Sequence, residues 1–214
     1  MKNPWLEIKA EDYEGHMGSP DIDQLKPLRK IFSTALKDFC PKRIALLGCS
    51  TGNGLEEIDY KKIEKVYALD INNEYLEILK KRHSKNLTKI ETVVCDLNSP
   101  RIFLERIDLV YAALIFEYID FKKSLKIISK WVKSGGILIA VLQLPCANIP
   151  EVTPSSFKSL EKLSSIMKLV KPEDFISAAE SNSFCLISSK VHSLKSGKQF
   201  WEGRFEKTKE KIKS

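Results

Sequence analysis

The chain has 214 residues, of which 43% are hydrophobic and 29% charged, with nine glycines and nine prolines. That length suits one sizeable α/β domain, and the balance excludes a disordered or fibrous chain. Net charge is +7, of which +2 sits in the last nine residues, EKTKEKIKS; elsewhere Lys and Glu alternate, as in DYKKIEK (59–65) and SLEKLSSIMK (159–168), a pattern that favours solvated helix faces over a nucleic-acid surface.

In chain order, the first segment, MKNPWLEIKAEDYEG, has no apolar signal-like core. The longest purely apolar run, ILIAVL at 137–142, is far short of the ~20 residues that span a bilayer, so a soluble cytoplasmic protein is expected. EDYEGHMGSP (11–20) then clusters Tyr13, His16 and Met17 around two glycines. Residues 21–39 read as a helix or two, broken at Pro41.

From Ile44 onward short apolar runs alternate with helical stretches. RIALLG (43–48), KVYALD (65–70), IETVVCD (90–96), IDLVYAAL (107–114) and GGILIAVLQLP (135–145) have the Val, Ile and Leu content of buried parallel strands. Between them, NNEYLEILKKRH offers Asn72 as N-cap with a stripe of Tyr75, Ile78, Leu79 and the stem of Arg82; FKKSLKIISKWV repeats Phe121, Leu125, Ile128 and Val132, with Trp131 facing the sheet. Strand and helix alternation of this kind implies a right-handed parallel sheet with its ligand crevice at the C-terminal strand ends.

Residues 146–170, entered through Pro145 and stiffened by Pro150 and Pro154, read as an insertion over the sheet edge with a helix capped by Ser155 or Ser156. KPEDFISAAESN suits a helix with Pro172 in its first turn, and FCLISSKVHSLKSGKQFWEGRFEK reads as two antiparallel strands around KSGK. Cysteines 40, 49, 95, 146 and 185 lie 9, 46, 51 and 39 residues apart without a CxxC pair, so buried reduced thiols are expected and no metal site.

Gly48, Gly52 and Gly54 follow the first strand as G-x-x-x-G-x-G, a spacing that is neither the dinucleotide fingerprint nor a phosphate-binding P-loop. Such a loop is either a tight strand-to-helix turn or a bare backbone against a ligand. Asp70 ends the second strand 22 residues after Gly48, placed to accept from ribose hydroxyls or to cap the next helix. Asp96 closes the third strand 26 residues further on, placed to meet an adenine amino group or to cap a turn before Asn98.

In this arrangement residues 40–145 resemble the class I S-adenosylmethionine-dependent methyltransferases. The resemblance implies a Rossmann-like three-layer αβα sandwich, with a mostly parallel seven-stranded sheet and a C-terminal antiparallel hairpin. It implies that Gly48, Cys49, Ser50, Gly52, Asn53 and Gly54 wrap the methionine and ribose of S-adenosylmethionine. Asp70 and Ile71 would hold ribose and adenine, Asp96 and Leu97 adenine, and Ala112 and Ala113 the sulfonium side. Two departures stand out: Leu46 replaces the acid that many members carry two residues before the first glycine, and AALIFEYID replaces the Asn/Asp-Pro-Pro-aromatic motif of nucleotide methylases.

Methyl transfer from a sulfonium needs alignment more than acid–base help. A base is required only where the acceptor must lose a proton; Glu117, with Tyr118 and Gln143 nearby, and His16 and Tyr13, in a segment that folds as a lid in this family, are the catalytic candidates. His83 and His192 read as structural, while Phe157 and Trp201 are expected to wall an acceptor pocket. The whole reads as a single domain: lid and helices 1–39, cofactor core 40–145, substrate-side insertion 146–170, helix and hairpin 171–207, basic tail 208–214. The expected activity is methyl transfer to a small molecule, yielding S-adenosylhomocysteine, with an RNA or protein methyltransferase and a non-catalytic interaction module as alternatives; the sequence carries no signal for oligomeric state.

Overall fold

The computed structural model describes residues 3–208; all of the basic tail except Thr208 lies outside them. Seven strands run in the order β3-β2-β1-β4-β5-β7-β6: β1 Arg43–Leu47, β2 Lys65–Asp70, β3 Ile90–Val94, β4 Ile107–Ala113, β5 Val132–Gln143, β6 Phe184–Ser193 and β7 Gln199–Lys207. β1 through β5 pair in parallel, and β7 pairs antiparallel with both β5 and β6. Strand order reverses between β1 and β4, so the crevice opens at their C-terminal ends.

Alternation along each strand sends side chains to two cores. Ala45, Leu47, Val110, Ala112 and Leu138 pack with α4 (Phe121–Trp131) and α5 (Pro172–Glu180) on one face. Ile44, Leu46, Val66, Leu109 and Ile139 pack with α2 (Leu25–Phe39) and α3 (Asn73–Arg82) on the other. Both faces of the central strands are covered, which is why they read as unbroken apolar runs. The edge strand β6 is largely exposed.

Local chemistry explains most boundaries. Leu28, Ile31, Phe32 and Ala35 give α2 its buried stripe, and the helix ends where Cys40 turns left-handed (φ 44°) ahead of Pro41. Asn72 caps α3 by accepting from Glu74 N at 2.9 Å, Asp120 caps α4 by accepting from Lys123 N at 3.2 Å, and Pro172 opens α5. In α3 the buried positions are Tyr75, Leu76 and Leu79, with Ile78 only half-buried; in α4 Trp131 is buried against the sheet and Val132 already begins β5.

Other expectations need correction. EDYEGHMGSP is helical: α1 spans Ala10–Gly18, its Gly15 tolerated because the Phe157 ring presses on it so closely that a Cβ there would lie 2.2 Å from Cζ. The 146–170 segment covers the ends of β5 and β7, where Glu151 O accepts from Gln143 Nε2 and Lys198 Nζ, and packs on α1; its helix is a 3-10 turn, Lys158–Ser165, begun after Phe157, and Ser155 Oγ accepts from Phe157 N and also bonds His16. DYKKIEK runs through turns into β2 rather than forming a helix. Cys95 is buried, but Cys40 at the end of α2 and Cys185 on the edge strand are exposed. No helix among the described residues is long and apolar enough to cross a membrane.

Candidate active site

At the end of β1 the chain turns at Gly48 (φ 63°), where a Cβ would lie 3.0 Å from Ile115 Cδ1. The turn is stitched to the β2 tip: Cys49 N donates to Leu69 O at 3.0 Å and Ser50 N to Asp70 Oδ2 at 2.8 Å. Asp70 Oδ1 accepts from Asn72 N at 2.8 Å, so one buried carboxylate joins the two loops. Burial pushes its carboxyl upward, opposed by the backbone N–H groups of Asn72, Ser50 and Ile71. Asp70 therefore organises the crevice, while capping of α3 falls to Asn72.

The cavity at these strand tips is lined by Gly48, Ser50, Asp70, Ile71, Asp96 and Leu97. Asp96 lies two residues past the end of β3, exposed at the rim, where its Oδ1 accepts from Asn98 N (2.9 Å) and Asn98 Nδ2 (3.2 Å). Ala113 also faces the cavity; Ala112 does not, being wholly buried in the core beneath α4 and α5. Cys49, Gly52, Asn53 and Gly54 are not among its lining residues: they shape the turn. Asn53 Nδ2 donates to Leu25 O at 3.1 Å, and a Cβ on Gly54 would lie 3.0 Å from Phe32, so these positions seat the loop on α2.

An acid does reach the loop, from α1 rather than from β1. Leu46 is buried under α2 and α3, whereas Glu14 reaches the loop, accepting from Thr51 Oγ1 and pairing with both terminal nitrogens of Arg82. The Arg82 bond, outweighing burial, holds the Glu14 carboxyl below its usual range.

Above the crevice two distant segments meet. His16 Nδ1 lies 2.9 Å from Ser155 Oγ, Ser159 Oγ donates to Asp12 Oδ2 at 2.5 Å, and Lys162 Nζ donates to Glu7 Oε2 at 2.9 Å. Ile8, Leu160 and Leu163 form a small core of their own, flanked by Trp5, Tyr13, Tyr118 and Phe157. Trp5 O accepts from Asn72 Nδ2 and Ile8 O from Tyr75 OH, both at 2.9 Å, tying this roof to the β2 corner.

The comparisons with known proteins agree with this architecture. Residues 46–140 match the family model described as a methyltransferase domain. Over these residues the chain is similar to methyltransferase domains. No curated protein matches the sequence. Among solved structures, it is similar to the N-methyltransferase NodS from Bradyrhizobium japonicum, in complex with S-adenosylhomocysteine, at 12% identity and TM-score 0.73, over 97% of this chain and 100% of that one. It is also similar to geranyl diphosphate C-methyltransferase from Streptomyces coelicolor A3(2) (11% identity, TM-score 0.65, 91% and 88% covered). The [4+2]-cyclase SpnF is similar to the same degree (10% identity, TM-score 0.65, 84% and 81% covered), so likeness at this level speaks of fold.

Tyr13 and His16, which precede the matched residues, both face the cavity. Burial drives the Tyr13 phenol upward, and the carboxylates of Asp70 and Glu14 add to the rise, so it stays protonated. Burial lowers His16, with the positive charge of Lys198 lowering it further, so its imidazole is neutral near pH 7. Glu117 is corrected: it neither faces solvent nor lines the cavity, but is buried behind Gln143, whose backbone N donates to its Oε1 at 2.7 Å. Burial raises its carboxyl to about 7. Phe157 belongs to the roof and Trp201 to the core with Phe175 and Phe205, so neither lines the cavity. His83 closes α3, and His192 Nε2 sits 2.6 Å from Glu202 Oε2 on the outer sheet.

Among the cavity residues that sequence reading missed are Trp5, Gln24 and Lys198. Trp5 lies in a 3-10 turn, Pro4–Leu6; Gln24, at the head of α2, is buried with no side-chain hydrogen bond among the described residues. Lys198, in the KSGK turn, is 3% exposed, a burial no local pattern announces.

Proposed function

We propose that the chain transfers the methyl group of S-adenosylmethionine to a small-molecule acceptor, releasing S-adenosylhomocysteine. One observation carries this reading: a single cavity runs from the strand-tip acids Asp70 and Asp96 to apolar space under the roof. The residues present fit the cofactor. Ser50 Oγ is buried at the cavity with only the Tyr13 phenol beside it, Gly48 leaves the room a Cβ would fill, and Asp70 offers a carboxylate held by backbone N–H groups.

In this reading Asp70 receives the ribose hydroxyls, Ile71 and Leu97 flank adenine, Asp96 meets its amino group, and Gly48 and Ser50 run along the methionine portion. Ala113 lies beside the sulfonium. When bound, S-adenosylmethionine supplies an activated methyl group. Tyr13 and Trp5 close the site and exclude water, as their packing in the roof permits. For His16 to accept an acceptor proton at Nε2, Nδ1 must donate to Ser155 Oγ, which then orients the ring.

The roof favours a small acceptor over RNA or protein, because α1 and the 146–170 segment cover the crevice that such chains would have to enter. The five cysteines are free, which suits the reducing cytoplasm. Calorimetry with S-adenosylmethionine and S-adenosylhomocysteine tests the reading: saturable heat with both is expected, and none with either would defeat it in favour of a non-catalytic module. Log-linear salt dependence of RNA binding would favour the macromolecular alternative.

A further inference from the structure

Lys198 sits at the start of β7, with β5 and β4 between it and β1 in the sheet. At ~4.8 Å per strand it stands about 14 Å from the β1 tip, beyond the half of the cavity assigned to the cofactor. Its ammonium donates to Glu151 O at 2.7 Å and, at 3.4 Å, to Gln143 Oε1. Those partners are fixed in turn, since Gln143 Nε2 donates to Glu151 O at 2.9 Å and Gln143 N to Glu117 Oε1.

An ammonium has three hydrogens, so one is left. Lys198 is buried and makes no salt bridge among the described residues; the Glu151 carboxylate acts on it only through space, its backbone oxygen being the atom in contact. An unpaired buried ammonium is unfavourable for folding, and an apolar residue of similar volume would serve the turn better. Its setting makes sense when the missing partner arrives with a ligand. Elsewhere the same cavity offers apolar walls, with Val152, Leu160, Leu163 and Met167 on the roof side.

The sign and size of the charge narrow the class. Lys198 and His16 are the only basic side chains lining the cavity among the described residues, and His16 is held neutral. Asp70, Asp96 and Glu151 line the same space. One cation among several carboxylates suits a monoanion and repels a polyphosphate. A carboxylate matches one spare donor with Gln143 close by.

We propose that Lys198 binds a carboxylate of the methyl acceptor, whose apolar body lies along Val152, Leu160, Leu163 and Met167. This rests on the methyltransferase reading and deepens it by naming the acceptor class. The test uses octanoate, octanamide and S-adenosylhomocysteine as calorimetric probes of the full chain and of Lys198→Met and Lys198→Arg. Octanoate is expected to bind at millimolar concentration or better, and octanamide at least tenfold more weakly. K198M should weaken octanoate at least tenfold, K198R by less than about threefold, and neither should change S-adenosylhomocysteine affinity by more than about twofold. K198M should melt no lower than the unsubstituted protein.

Equal binding of acid and amide, no octanoate binding, or unchanged octanoate binding by K198M would overturn the proposal. So would a matching loss of S-adenosylhomocysteine affinity, which would place Lys198 on the cofactor. Should K198M fail to fold, the acid and amide comparison on the unsubstituted protein decides. Failure of S-adenosylhomocysteine to bind would sink the methyltransferase reading, while octanoate binding to the chain alone would still decide this one.

Discussion

At the tips of β1, β2 and β3 each residue facing the cavity is delivered by its own strand, whereas under the roof each is delivered by contacts between remote segments. Ser50 and Asp70 are 20 residues apart, His16 and Ser155 are 139 apart. The first half follows from a strand ending where an apolar run ends. The second exists only once α1, the 146–170 segment and the β6–β7 turn have packed together. Cofactor chemistry thus sits on the rigid sheet, and acceptor chemistry on segments that pack chiefly against one another.

Substitutions can break one half and spare the other. The largest effect is expected from Asp70→Ala, which removes two charge-assisted backbone bonds worth about 1.5–3 kcal/mol each. S-adenosylhomocysteine affinity should fall on the order of 100-fold or more in calorimetry, with octanoate binding to the chain alone little changed. His16→Ala should lower kcat by about 100-fold or more at near-constant cofactor affinity, since general-base groups contribute about that much. Unchanged turnover would remove His16 from the mechanism.

Gly15→Ala probes the roof alone. A Cβ 2.2 Å from Phe157 Cζ forces the ring aside, and overpacking of this kind costs about 1–3 kcal/mol, against which the ordinary helix gain of ~1 kcal/mol is small. Lower thermal stability and a raised acceptor KM are expected, relieved by pairing it with Phe157→Leu; an unchanged melting temperature would show that α1 and Phe157 do not clamp each other.

The smallest effect is in pH. Burial lowers Lys198 from 10.5 to about 8, with Glu151 and Cys146 from the neighbouring segment opposing the shift and His16 facing it from α1. Between about pH 8 and 10.5 the unfolded chain holds a proton that the folded chain has released, so this group makes stability rise with pH in that window. Octanoate binding should do the reverse, falling by up to about tenfold per unit above pH 8. K198M should show neither slope in denaturation or calorimetry.

By itself the sequence determined the parallel sheet, the glycine turn, the β2 acid, the cap of α3 and the Pro172 start of α5, because each depends on residues close in the chain. Apolar runs buried on both faces read as central strands, and Asn72 caps α3 through its own neighbour. Tertiary structure alone decided the rest. Glu117 looks like a crevice acid in the sequence, yet β5 closes in front of it and Gln143 takes the cavity wall. Lys198 looks like a turn lysine, yet the segment carrying Glu151 folds over it and takes it out of water. Strand and helix periods register which face of an element is apolar, but not which distant segment will cover a polar side chain; burial of that kind is fixed only when the roof meets the sheet.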